Sequence, residues 1–216
     1  MNFHRIYQYR FKDIEDDKKK ITWEEIAAFV YKKLLAPASI LDPAAGKCEL
    51  INAIKSKERW AVDLNDYFIR KYAAPDVKIL IGDILTTELP ENYFEGVFIS
   101  NFLEHLNSQE DVATLLEKMF RCLKPGGRIA IMGPNFKYAY REYFDFADHT
   151  VILSEVGLAE HLYGAGFEIE YIYPRFLPLS FRGGFPVSRF LVKRYLSMSW
   201  AWRFFGKQFL LIGKKL

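Results

Sequence analysis

The chain has 216 residues, is 50% hydrophobic, 17% aromatic and 26% charged, and carries a formal net charge of +3. That length suits one domain with elaborations better than two, and the apolar share excludes wholesale disorder. Cys48 and Cys122 are the only cysteines, which excludes a disulfide framework or a zinc module and fits a reducing compartment. The N-terminal residues lack the apolar stretch of a signal peptide, and no window reaches about 18 apolar residues, so a cytoplasmic protein without a membrane span is expected.

In chain order, Thr22-Trp23-Glu24-Glu25 reads as a capping box opening a helix over 22–35, with apolar Ile26, Phe29, Val30 and Leu34 at helical spacing and Pro37 ending it. Short apolar runs then alternate with helical patterns: 39–42, 59–63, 77–82, 96–100 and 128–132, the last after the turn Lys124-Pro125-Gly126-Gly127. Two more strands are predicted at 167–172 and 208–212. Strands separated by helices imply crossover units, hence an α/β fold with a seven-stranded, mostly parallel sheet covered on both faces. Glu170 is the last acidic residue; the final 46 residues hold nine cations, which leaves −6 on the first 170. The stretch 174–206 is rich in aromatics and too long for a hairpin loop. A single domain is expected, with an N-terminal helical cap over 1–37, a core over 38–173, a basic aromatic insertion over 174–206 and a last strand over 207–214.

Ligands of open α/β sheets bind beyond the carboxyl ends of the strands. Here those ends are acidic or small: Asp42 leads into Pro43-Ala44-Ala45-Gly46, the second strand ends at Asp63, the third at Gly82-Asp83-Ile84, and the fourth runs into Ser100-Asn101-Phe102-Leu103-Glu104-His105-Leu106. An acidic side chain at Asp63, 21 residues after Asp42, suits both hydroxyls of a ribose. Together with Leu123-Lys124-Pro125-Gly126-Gly127-Arg128 and Ala165-Gly166-Phe167-Glu168, these motifs resemble the class I S-adenosylmethionine-dependent methyltransferases of the small, metal-independent kind, over about residues 38–172. The resemblance implies a three-layer Rossmann-like sandwich with an antiparallel last strand, and S-adenosylmethionine as cofactor. It places Ala44 and Gly46 at the methionine end, Asp63 at the ribose, Asp83 and Ile84 at the adenine, and Asn101 beside the methionine moiety, with Asp42 and Leu64 also among the cofactor-binding residues. The family usually has glycines where this chain has Ala44 and Cys48, so the backbone there must avoid positive φ or accept strain.

Methyl transfer from a sulfonium needs a base when the acceptor is a hydroxyl. His149 is the first candidate and His105 the second; Asp145, Asp148 and His149 lack a further ligand that would make them a metal site. An Asn/Asp-Pro-Pro-aromatic signature for nucleobases is missing after the fourth strand, and Gly133-Pro134-Asn135-Phe136 echoes it after the wrong one. The expected reaction is O-methylation of a small-molecule or saccharide hydroxyl, with a lipid-linked or membrane-surface acceptor presented through 174–206. Nucleic acid ranks lower there, because the cations alternate with large aliphatics. An RNA or protein methyltransferase and a non-catalytic cofactor-binding module are the alternatives.

Overall fold

The computed structural model describes residues 5–6, 9, 16–179 and 188–216. Its sheet has seven strands, β1 (Ser39–Asp42), β2 (Glu58–Asp63), β3 (Val77–Ile81), β4 (Phe94–Ser100), β5 (Leu123–Pro134), β6 (Glu168–Tyr173) and β7 (Gln208–Lys214). They lie in the order β3-β2-β1-β4-β5-β7-β6. The first five run parallel, and β7 is antiparallel to both β5 and β6, as the sequence predicts. Strand order reverses between β1 and β4, so the crevice of an open α/β sheet falls at the carboxyl ends of these two strands. Asp42 and Asn101 therefore flank one opening.

Alternation along the strands divides the core in two. Val97, Ile99, Ile129, Ile131 and Leu211 face α4 (Gln109–Cys122) and α6 (Glu155–Gly164), meeting Leu115, Leu116, Met119, Leu158 and Leu162. Phe98, Ala130, Met132, Leu210 and Ile212 face the other way, onto α1 (Asp16–Lys33), α2 (Glu49–Ala53) and the segment between β6 and β7. The short helices α3 (Asp66–Tyr72) and α5 (Phe136–Ala139) follow β2 and β5.

The first helix departs from its predicted bounds. It begins at Asp16, and Thr22 lies inside it at 2% exposure, so Thr22 is a core residue and not a cap. The Lys18-Lys19-Lys20 run before it consists of good helix formers that carry the helix backwards past the local capping pattern. At the other end the helix stops at Lys33, and Leu35 and Ala36 take left-handed backbone, φ 60° and 56°, before Pro37. The Ala36 amide donates to the Tyr31 carbonyl (2.8 Å), which closes the helix end without a glycine.

Between β6 and β7 stand α7 (Arg189–Ser197) and α8 (Ser199–Phe205); residues 180–187 of the predicted insertion, with Arg182 and the Gly183-Gly184 pair, lie outside the described residues. Trp202 anchors this segment. Its ring meets Phe176, Tyr173 and Phe29 edge-on at 5.0, 5.4 and 5.9 Å, and its Nε1 donates to the Tyr195 carbonyl (2.9 Å). Trp202→Ala is expected to lower unfolding stability by about 3–5 kcal/mol in a denaturant titration, the usual range for a buried indole.

The fold uses up much of the basic end. Arg189 pairs with Glu24 and Glu25 of α1, Lys207 pairs with Glu142, and Arg175 donates to the Gly206 and Phe204 carbonyls. Lys215, only 9% exposed, donates to Asn92 Oδ1 and to the carbonyls of Phe120 and Leu123, each at 2.8 Å. Exposed Lys193, Arg194 and Arg203 lie on α7 and α8 beside exposed Phe190, Trp200 and Phe204. No helix among the described residues is long and apolar enough to cross a membrane.

Candidate active site

The turn after β1 is built around two carboxylates. Asp63, at the end of β2, accepts from the Gly46 amide with one oxygen (2.6 Å) and from the Asn65 amide with the other (2.7 Å), tying the β1–α2 loop to the second strand. Gly46 has φ +52°, and a Cβ added there would meet nothing within 4 Å, so the loop faces open space at that point. Ala44 is absent from the positive-φ positions, whereas Cys48 takes φ 59° as the residue capping α2. The departure from glycine at Cys48 is thus met by strain, on the order of 1–2 kcal/mol for a left-handed non-glycine residue. The fully buried Cys48 side chain offsets it by packing into the core with Leu50 and Ile51.

Burial raises the Asp42 carboxyl to about 7, with the charges of Asp63 and Glu49 adding to the effect and a hydrogen bond from the Ala44 amide opposing it. Burial also raises Asp63, against its two amide bonds. The folded Asp42 pKa lies above its ordinary 3.8, so the folded state holds the proton more tightly and stability falls as pH rises between about 4 and 7. Between pH 5 and pH 8 the wild type is expected to lose up to about 3 kcal/mol relative to Asp42→Asn in urea titrations. Equal pH dependence in the two proteins would contradict a buried, titrating Asp42.

Of the other cofactor candidates, Leu64 is 68% exposed beside Asp63, while Ile84 is 3% exposed and packs with the core. Exposed Asp83 accepts from the Leu85 amide, which shapes the turn after β3. Asn101 follows β4 in left-handed backbone, φ 48°, its amide donating to the Met132 carbonyl. The donor set fits S-adenosylmethionine: buried carboxylates crowded together suit its ammonium and sulfonium charges, and a strand-end Asp suits ribose hydroxyls.

A second group forms where β4 and β5 end. Leu103–His105 make one 3₁₀ turn, and the Glu104 carbonyl accepts from the amides of Thr150 (2.8 Å) and Val151 (3.1 Å), stitching the loop after β5 to that turn. This brings the two candidate histidines together, ring centroids 5.0 Å apart. His149 stacks on Phe146 and meets Tyr143 edge-on, at 4.7 and 4.8 Å; at 9% exposure it is no surface residue. Asp148 meets His105: His105 Nδ1 lies 3.0 Å from the Asp148 carbonyl and 3.4 Å from its Oδ2. A carbonyl only accepts, so Nδ1 carries a proton and is the donor in that contact, with Nε2 on the opposite side of the ring.

Glu104 was not singled out from sequence as a functional residue. It is 2% exposed, with Oε1 3.9 Å from His105 Nε2, and a Cβ at Gly133 of β5 would lie 3.5 Å from its Oε2. The only sequence signal was its place before His105. Asn135 is fully buried, and its amide donates to Glu155 and to the Pro174 carbonyl, so the Pro-Asn-Phe echo of a nucleobase signature is structural. A groove between α4 and α6, lined by Gln109, Glu117, Glu160 and His161, contains none of these residues.

Residues 41–131 match the family model described as a methyltransferase domain. No curated protein matches the sequence. Among solved structures, a SAM-dependent methyltransferase from Archaeoglobus fulgidus superposes with TM-score 0.66 at 20% identity, covering 99% of this chain and 100% of that one. An S-adenosylmethionine-dependent methyltransferase from Mesorhizobium loti gives 0.60 at 14% identity, covering 88% and 98%. Geranyl diphosphate methyltransferase, solved with GPP and sinefungin, gives 0.61 at 14% identity, covering 88% and 76%.

Proposed function

We propose that this chain is a class I S-adenosylmethionine-dependent methyltransferase, as the methyltransferase-domain match over 41–131 and the shared fold support, and that it methylates a hydroxyl of a small-molecule or saccharide acceptor. The observation that carries the acceptor reading is the His105–His149 pair at the carboxyl ends of β4 and β5, where the loop after β5 is tied to the turn after β4. A hydroxyl must shed its proton as it attacks the methyl carbon, and an imidazole on the acceptor side would serve that loss. S-adenosylmethionine supplies the electrophilic methyl group. Asp63 and Leu64 would hold its ribose and Asp83 and Ile84 its adenine edge, with Asp42, Ala44, Gly46 and Asn101 along the methionine end. The test is transfer of labelled methyl from the cofactor to a panel of monosaccharides, lipid-linked saccharides, transfer RNA and protein. Label in an ether-linked methyl group supports the reading; label confined to RNA or protein overturns it, and failure to bind the cofactor would leave a non-catalytic module.

A second reading concerns where the acceptor is met. The segment 174–206 carries exposed Phe190, Trp200 and Phe204 interleaved with Lys193, Arg194 and Arg203, a pattern that suits an anionic bilayer surface at the inner face of a membrane. It is joined to the loop after β5 by Lys207–Glu142 and by Arg175 over the Tyr138 ring, 4.7 Å from its centroid. Flotation with vesicles containing anionic lipid is expected to carry the protein, and Trp200→Ser with Phe204→Ser to abolish this. Flotation unchanged by the pair of substitutions, or an RNA mobility shift in its place, would refute the membrane reading.

A further inference from the structure

Glu104, His105 and His149 each present a ligand atom, and these atoms all lie within 4.8 Å of one another. We infer that this cluster is a binding site for one divalent first-row transition ion. The inference rests on the acceptor-side reading above and departs from the metal-independent kind that the sequence resembles: with an ion bound, the ion and not a free imidazole loosens the hydroxyl proton.

Two imidazoles and one carboxylate are the ligand set that such ions take when positions are left open for a substrate. The second shell is in place as well: a ligating histidine donates its other ring N–H to a carbonyl or carboxylate, and His105 Nδ1 meets both on Asp148. That contact directs the Nε2 lone pair toward Glu104 Oε1, 3.9 Å away. Bonds of about 2.1 Å to each ligand imply ligand atoms about 3–3.5 Å apart, so binding draws the three inward by roughly 1 Å.

The scaffold holds the three side chains close before any ion arrives. Glu104 and His105 share one turn, and His149 is fixed to that turn by the Thr150 and Val151 amides on the Glu104 carbonyl. Tyr143 hydrogen-bonds the Val151 carbonyl (2.5 Å), and Phe146 stacks on the His149 ring. Imidazole-rich ligation favours zinc, iron and cobalt over magnesium.

An acceptor hydroxyl bound at an open position of the ion loses its proton to water more readily than a free alcohol. Its oxygen then forms the O–CH₃ bond as the S–CH₃ bond of the cofactor breaks. The negative charge of the oxygen and the positive charge of the sulfonium cancel, and S-adenosylhomocysteine leaves neutral.

The test needs no acceptor. Chelator-stripped protein is titrated with Co²⁺, followed by its visible absorption and by calorimetry, and in parallel with Zn²⁺ and Mg²⁺. One Co²⁺ or Zn²⁺ per chain is expected, with Mg²⁺ at least about tenfold weaker. Glu104→Gln and His149→Gln are each expected to weaken Co²⁺ binding at least about a hundredfold, while His161→Ala leaves it unchanged. Unaltered S-adenosylmethionine affinity shows that a variant is folded; should Glu104→Gln fail this check, His149→Gln carries the comparison. Absence of a bound ion, or binding insensitive to a folded variant, overturns the ion site. That result leaves the O-methylation reading to stand or fall on the label-transfer experiment.

Discussion

Asp63→Ala is expected to weaken S-adenosylmethionine binding by about a hundredfold or more, measured by calorimetry. The expectation has two independent parts. A carboxylate that accepts from two ribose hydroxyls contributes about 1.5–3 kcal/mol for each charged hydrogen bond. The same carboxylate holds the β1–α2 loop through the Gly46 amide and the turn after β2 through the Asn65 amide, so its removal leaves two backbone donors without their acceptor. Asp63→Asn keeps one acceptor oxygen and is expected to fall between wild type and Asp63→Ala. Asp83→Ala is expected to cost less, about tenfold, because Asp83 is exposed and serves the turn at Leu85. An Asp63→Ala protein that binds within threefold of wild type would contradict the assignment of this turn as the cofactor site.

His149→Ala is the second large effect. Turnover on a hydroxyl acceptor is expected to drop by about 10²–10⁴-fold, the range for loss of a positioned proton-handling group, with cofactor affinity within about twofold of wild type. The separation follows from placement: His149 stands beyond β5 with Phe146, Tyr143 and His105, whereas Asp42 and Asp63 end β1 and β2. His105→Ala is expected to behave alike, since each imidazole packs on the other. Single-turnover rates at saturating cofactor check this, and a His149→Ala rate within about fivefold of wild type would remove histidine from the chemistry.

The strand pattern was legible because central parallel strands are buried on both faces and read as short apolar runs; six predicted strands lie within two residues of the observed ones, whereas the fifth begins at Leu123 and takes in the Lys124-Pro125-Gly126-Gly127 segment predicted as a turn. The first helix was misjudged at its start because a capping box is a four-residue signal, and Thr22-Trp23-Glu24-Glu25 occurs inside a longer helix whose upstream turns are charged rather than apolar. At the site, strand-end acids could be read one by one. The approach of His105 to His149 could not, since it depends on hydrogen bonds from Thr150 and Val151 to a carbonyl 46 and 47 residues earlier. Glu104 escaped notice for the same reason: its burial against Gly133 is a tertiary fact. The nine late cations were easy to count but misleading as a surface. Arg175, Arg189, Lys207 and Lys215 hold helices, loops and the last strand in place, so the outward charge is smaller than the sum.

The placement of β7 between β5 and β6 sets a condition on synthesis. Strands β1 to β5 can pair as they emerge, but β6 has no strand to join until residues 208–214 have left the ribosome and been inserted beside Leu123–Pro134. Until then the edge of β5 is unpaired, the kind of exposed edge that invites aggregation. Closure of the sheet therefore waits for β7, and Lys215, one residue beyond it, reaches Asn92, Phe120 and Leu123 as soon as that strand is seated. A nascent chain stalled before residue 208 is expected to depend on chaperones, and one released a few residues later is not.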